Sequence, residues 1–127
     1  MSFRGVDIVN INFNVLHKKS EKLKINMNCI PKVFFPKNND KQFNIVMDVE
    51  ISEKDAFTLS LRAIGNFELD RTLTIEMKKK FVNVNAPAIM FPYVRSFVST
   101  LTANVGNVVG TLTIPTRLFK GVLEEIK

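Results

Sequence analysis

The chain has 127 residues and a mass of 14.5 kDa, enough for one domain with a buried core and too little for two. Hydrophobic residues make up 46% and charged residues 24%, the balance of a folded chain, and one Cys with one His excludes a disulfide framework and a four-ligand protein zinc site. Eighteen basic and twelve acidic side chains leave a net charge of +6, and no apolar run reaches the roughly 18 residues a membrane helix needs. Met1-Ser2-Phe3-Arg4-Gly5 lacks the apolar core of an export signal. The expectation is a single domain over residues 1–127, cytoplasmic, in a reducing compartment, with no membrane insertion.

The elements follow in chain order. Val9, Ile11, Phe13 and Val15 alternate with Asn10, Asn12 and Asn14, which predicts a strand with one buried and one wetted face. His17 to Lys22 reads as a solvated connection. Leu23, Ile25, Met27 and Cys29 form a second alternating run, closed by Pro31. After the turn cluster Lys37-Asn38-Asn39-Asp40-Lys41, Phe43, Ile45, Met47, Val49 and Ile51 form a third. Ser52-Glu53-Lys54-Asp55 is a short turn. Phe57, Leu59, Leu61 and Ala63 form a fourth run, interrupted at Gly65-Asn66, where a bulge or bend is expected. Four strands joined by short connections favour an antiparallel sheet.

Near residue 71 the period changes. Leu73, Met77 and Phe81 lie four apart, as on one side of a helix. Asn85 is placed to cap a new helix, with Pro87 in its first turn. Met90, Val94, Phe97 or Val98, and Leu101 continue as an apolar stripe up to Gly106. Pro92 inside that pattern should kink the helix or limit its first turn. An irregular crossing segment runs from Val105 to Ile114. Pro115 then opens a last helix carrying Leu118, Phe119, Val122, Leu123 and Ile126 on one face. The order predicts an α+β fold: a four-stranded antiparallel sheet followed by two helices packed on one face. The long helix is apolar nearly all round, through Ile89, Met90, Phe91, Tyr93, Val94, Phe97, Val98 and Leu101. That pattern requires a second partner, most simply another copy of the chain.

Little in the chain points to catalysis. Asp48 with Glu50, and Glu124 with Glu125, have no local reason for a raised pKa and read as solvated charges. Gly106 and Gly110 lack the Lys and Ser/Thr of a phosphate loop. Cys29 is in phase with a buried face and His17 lies in a charged turn, so they do not make a nucleophile–base pair. The expectation is a protein that is not an enzyme. Charge is distributed in blocks: residues 1–41 carry eight basic and three acidic side chains, residues 42–77 three and seven, and residues 78–127 seven and two. Lys78-Lys79-Lys80 reads as a solvated face, or as a patch for an anionic partner. Eleven Phe without Trp is a binding signal as well as a core signal. Phe34-Phe35-Pro36 places two neighbouring rings where both cannot face one core, and contiguous exposed apolar surface marks an interaction site.

The stretch Asn85-Ala86-Pro87-Ala88-Ile89-Met90-Phe91-Pro92-Tyr93-Val94-Arg95 resembles the signature helix of the SecB export chaperones, Pro-x-x-Leu-Phe-Pro-Tyr-x-Arg. Downstream, Gly106 followed by Leu112-Thr113-Ile114-Pro115-Thr116-Arg117-Leu118-Phe119 resembles that family's Gly-x-Phe-Pro-x-Leu-x-Leu-x-Pro-x-x-Phe segment. The resemblance implies a holdase that binds unfolded or extended polypeptides in hydrophobic grooves, for protein export or for a dedicated client such as an antitoxin. It implies a tetramer built as a dimer of dimers and no nucleotide, metal or other cofactor. Carried over by residue, it makes Phe57, Leu59, Leu61 and Ala63 candidates for the client groove. It places Pro87, Phe91, Pro92, Tyr93, Arg95, Phe97 and Leu101 in the signature helix and oligomer interface. It puts Asn10, Asn14 and Ser60 where relatives carry the acidic residues that dock the translocase motor SecA. With those three charges absent and the chain basic, docking of a cationic SecA tail is expected to be weak or reversed. The alternative reading is a basic adaptor that binds nucleic acid or an acidic protein partner.

Overall fold

The computed structural model describes residues 1–16, 25–54, 56–69, 73–106, 110–115, 119 and 121–127. Its strands are β1 (Ser2–Val15), β2 (Asn26–Phe34), β3 (Gln42–Glu53), β4 (Phe57–Glu68) and β5 (Glu124–Ile126). They form one sheet in the order β1-β4-β3-β2-β5, with β2, β3 and β4 a meander and β1 returning antiparallel beside β4. Between β4 and β5 lies a long helix: α1 (Ile75–Lys80), a π-helical turn (Phe81–Asn85) and α2 (Ala86–Ala103).

Alternation places β3 and β4 as expected. Phe43, Ile45, Met47, Val49 and Ile51, with Phe57, Leu59, Leu61, Ala63 and Phe67, all point to the inner face and are buried. The helix closes that face with Val82, Ala86, Met90, Phe91, Val94 and Val98. Phe43 stacks on Phe67 at 5.2 Å between centroids, and Phe13 packs against Phe57 at 6.1 Å. The neighbouring rings Phe34 and Phe35 part company as anticipated. Phe34 is exposed, whereas Phe35 is half-buried 6.4 Å from Phe43.

β1 differs from its sequence reading. Two register shifts, between Phe3 and Val6 and between Val9 and Asn12, each insert one extra residue against β4. Gly5 (φ 110°) and Asn10 (φ 54°) lie within them in left-handed conformations, one free of a Cβ and the other a residue type that tolerates the region. Each bulge inverts the phase. Phe3, Val6, Ile8, Phe13 and Val15 therefore pack on the core, while Val9 opposes Arg62 on the other face and Ile11 is exposed. Val9 and Ile11 do not share a face with Phe13 and Val15.

β2 also runs further than expected, straight through Pro31 to Phe34. Proline is tolerated because, among the described residues, β2 has only β3 beside it at that level; β5 joins at Lys32–Phe34. Likewise β4 is not broken at Gly65, which pairs with both Val6 and Ile45. Gly65 makes room for the helix: a Cβ there would lie 2.8 Å from Met90 Sδ and 2.9 Å from Phe67 Cε2.

The helical part needs two corrections. Asn85 caps nothing; it is itself helical (φ −72°, ψ −47°), and the N-cap is Thr74, whose hydroxyl accepts the Met77 N–H at 3.2 Å. The helix continues through because the turn before Pro87 opens to π geometry, with the Ala86 N–H reaching the Phe81 carbonyl five residues back. Proline lacks an N–H for the carbonyl four residues earlier and its ring crowds it; widening that turn relieves the crowding. Pro92 does not end the helix, and it sits on the exposed side. The second correction concerns the expected helix after Pro115. The residues described there form no helix, and Glu124–Ile126 add to the sheet as β5, parallel to β2, so the sheet has five strands rather than four. Leu118 and the connection at 17–24, which includes Leu23, lie outside the described residues.

A candidate client groove

Leu112 to Pro115 lie along α2 and run opposite to it, Leu112 beside Thr102 and Ser99 and Ile114 beside Arg95. Leu112 and Ile114 point inward and are buried, whereas Thr113 and Pro115 are exposed. This segment belongs to no sheet, so its backbone polar groups need other partners. Three side chains of α2 supply them. Arg95 Nε donates to the Ile114 carbonyl at 2.7 Å, and Ser99 Oγ donates to the Leu112 carbonyl at 2.8 Å. Thr102 Oγ1 accepts the Leu112 N–H at 2.8 Å while donating to the Val98 carbonyl, also at 2.8 Å. Spacings of four and three put the three residues on one stripe of the helix.

Held there, the segment forms one wall of an apolar groove of about 360 Å³. Ile25, Met27 and Ile51 form the opposite wall, Phe91 the floor, and Leu112, Thr113, Ile114 and Pro115 the near wall. Ile25 remains 43% exposed. Phe91 is held by an edge-on contact with Phe119, 5.3 Å between centroids. Along the groove, β2 from Asn26 to Pro31 has no outer strand neighbour among the described residues. An extended chain can therefore lie between apolar walls there.

The candidates named from sequence fall in different places. Phe57, Leu59, Leu61 and Ala63 do share one face, but at 0–3% exposure they lie beneath the helix, in the core rather than along the groove. In the signature helix, Pro87 and Phe91 are buried within the protomer, and Phe97 and Leu101 are half-buried against the core. Pro92 and Tyr93 face outward, Tyr93 at 54% exposure, and Arg95 is engaged with the groove wall. Ser99 and Thr102 went unrecognised. Their only trace in the sequence is the four-then-three spacing of polar residues beside Val94 and Val98.

The outer sheet face brings Asn10 and Ser60 together in a recess of about 390 Å³ with Asp48, Glu50 and Arg62. Asn14 lies apart, its amide donated to Asn12 at 2.7 Å. Arg62 clasps Asp48 through two bonds of 2.8 and 3.1 Å. The hydrogen bond first, and the nearby charge second, raise the Arg62 guanidinium above its ordinary value. Glu50 has no ion-pair partner among the described residues. Asn10 and Ser60 thus sit beside a carboxylate outside any ion pair among the described residues. Among the described residues no cluster of His, Cys, Asp and Glu could hold a metal ion, and no helix is long and apolar enough to cross a membrane.

An antiparallel meander with β1 returned beside β4, one face closed by a long helix and a groove between that helix and the β2 edge, defines a SecB-like fold. The family model described as preprotein translocase subunit SecB matches residues 1–112, and the chain belongs to that chaperone family. An uncharacterized protein of Methanocaldococcus jannaschii is 32% identical over 111 residues, covering 82% of this chain and 71% of that one. The protein-export protein SecB of Orientia tsutsugamushi (strain Boryong) is 29% identical over 110 residues, 84% of this chain; the chain spans 65% of that relative's length. Among solved structures, a SecB-like chaperone of Mycobacterium tuberculosis, in complex with a ChAD peptide from the HigA1 antitoxin, superposes with a TM-score of 0.71. The two are 16% identical, with 90% of this chain and 85% of that one covered, so the likeness is one of fold.

Proposed function

We propose that the protein is a holdase that binds extended, apolar stretches of non-native polypeptide in the groove between the β2 edge and the Leu112–Pro115 segment. The observation that carries this reading is the groove itself, about 360 Å³ and lined almost wholly by apolar side chains from β2, β3, α2 and the Leu112–Pro115 segment. Met27 lends adaptability, since an unbranched thioether side chain accommodates differently shaped partners. Each client side chain buried contributes roughly 25 cal/mol per Å², and several modest contacts along one chain add up. The mycobacterial neighbour with its antitoxin peptide supports polypeptide clients, and a dedicated client is as compatible with this groove as exported proteins are.

The functional unit in this reading is a homo-oligomer, a dimer of dimers. Met77, Val84, Ile89 and Tyr93 leave apolar surface on the open side of the helix, and β1 is the last strand on its side of the sheet among the described residues. Pro87, Phe91 and Phe97 are committed inside the protomer, so the helix interface is assigned to Ile89 and Tyr93. The protein acts in the cytoplasm. Docking to SecA is weak, because Asn10, Asn14 and Ser60 carry no charge and Glu50 alone offers an unpaired carboxylate in the recess.

Titration with an extended apolar peptide tests the groove. Ile25→Asp, at a position exposed enough to tolerate the change, should weaken binding at least about tenfold by introducing a charge that must be desolvated. Equal affinity for both proteins would place the client elsewhere.

A further inference from the structure

The N-terminal end of the helix carries a second depression that shares no residue with the groove. It has a volume of about 370 Å³ and lies between α1, the π-turn, the end of β2 and β5. Lys79 and the groove's Phe91 are twelve positions apart, about 18 Å along the helix. Its floor is apolar and buried: Val33, Val82 and Leu123, with Phe35 half-buried beside them. Its rim is the reverse. Ile75 is 75% exposed and Val122 is 85% exposed, the two most exposed large apolar side chains among the described residues. Two such residues flanking one apolar floor make a patch that is not scattered surface hydrophobicity.

The walls are fixed. The π-turn aims Asn83 at the C-terminal segment, where its Oδ1 accepts the Leu123 N–H at 2.9 Å, and β5 is paired to β2 just beyond. The charge of the rim is also one-sided. Lys78 and Lys79 line it, and neither has an ion-pair partner among the described residues. The Lys78 ammonium instead rests 4.8 Å from the centre of the Phe35 ring. The one acid on the rim, Glu125, is on the β5 side.

We propose that this depression is a second docking site, for a short acidic peptide segment that places an aliphatic or aromatic side chain on the Val33–Val82–Leu123 floor and its carboxylates against Lys78 and Lys79. Charge complementarity identifies the occupant. An apolar floor with two ammonium groups along one side, neither in an ion pair among the described residues, matches carboxylates flanking an apolar residue. Glu125 sets the direction, keeping the peptide's acids on the helix side. This site would recognise a particular acidic partner, whereas the groove takes apolar stretches generally.

The test uses the full-length protein and labelled twelve-residue peptides, one with Leu and Phe among Glu residues and one with the same apolar positions among Lys residues. Fluorescence anisotropy should show the acidic peptide binding and weakening as salt is raised, with the basic peptide at least tenfold weaker. Lys78→Glu/Lys79→Glu should lower affinity for the acidic peptide about tenfold, since two favourable charge contacts become repulsive. Val122→Asp should reduce it similarly, at a position too exposed to affect folding. Ile25→Asp, which disables the groove, should leave it unchanged, so this site can fail or succeed independently of the groove. Equal binding of the two peptides, or an unaltered affinity after the double charge reversal, would overturn the proposal. So would loss of acidic-peptide binding in Ile25→Asp, which would put the peptide in the groove. A changed sedimentation coefficient for Val122→Asp would make the patch a contact between copies. Retention on phosphatidylglycerol vesicles without peptide binding would make it a lipid contact.

Discussion

Thr102 is fully buried, yet it is one of the few polar side chains in the helix–sheet core. Its hydroxyl gives its proton to the Val98 carbonyl and takes the Leu112 N–H, so one oxygen ties the groove wall to the helix. Thr102→Val keeps the shape and removes that acceptor. The Leu112 amide then has no partner in a buried setting, a cost of about 1–3 kcal/mol. The expected result is a lower urea midpoint with an unchanged m-value, together with weaker binding of groove peptides. A midpoint equal to wild type would show that the wall is not held through this oxygen. Sequence pattern does not expose such a residue, because a Thr within an apolar helix stripe looks the same whether it bonds only its own turn or a distant segment.

At the scale of elements, period-two alternation was sufficient for β3 and β4, where every inward residue proved buried. It misled in β1 because Gly5 and Asn10 each add a residue and invert the phase, so Val9-Ile11-Phe13-Val15 is a regular pattern spread over two faces. It misled again at the C-terminus. Val122, Leu123 and Ile126 fit a helical spacing, but Val122 is exposed while Leu123 is buried and 124–126 pair with β2. The wall and the β2 edge come from distant parts of the chain, so the groove was legible only as a resemblance, and the alternating β4 face that the resemblance offers as its lining lies buried beneath the helix. Gly65 illustrates a contact between elements that a sequence reading attributes to a bend. Gly65→Ala would force its Cβ against Met90 and Phe67, both fully or nearly buried, and should destabilise by about 1–3 kcal/mol. Combined with Met90→Ala, which vacates the same space, the cost should be clearly less than the sum of the two single changes. Strict additivity would mean that the helix does not approach the sheet at this point.

For the whole molecule, the basic charge is distributed rather than uniform. Arg62 and Arg4 are spent on Asp48 and Glu68 across the outer sheet face, whereas Lys78 and Lys79 have no ion-pair partner among the described residues and lie beside apolar surface. That pattern suits peptide partners better than a nucleic-acid backbone, which would require a continuous basic track. Tyr93→Lys combined with Ile89→Asp changes two outward-facing residues and should shift sedimentation to a smaller species than wild type, with the circular dichroism of the fold retained. An unchanged sedimentation coefficient would remove this helix face from the interface.

Whether the groove holds non-native chains is read from the aggregation of a chemically denatured model protein, followed by light scattering after dilution. Wild-type protein should suppress scattering at stoichiometric or lower ratios, with little dependence on salt because the contacts are apolar, and Ile25→Asp should suppress it far less at equal concentration. Suppression by Ile25→Asp equal to wild type, or scattering unaffected by either protein, would contradict the account.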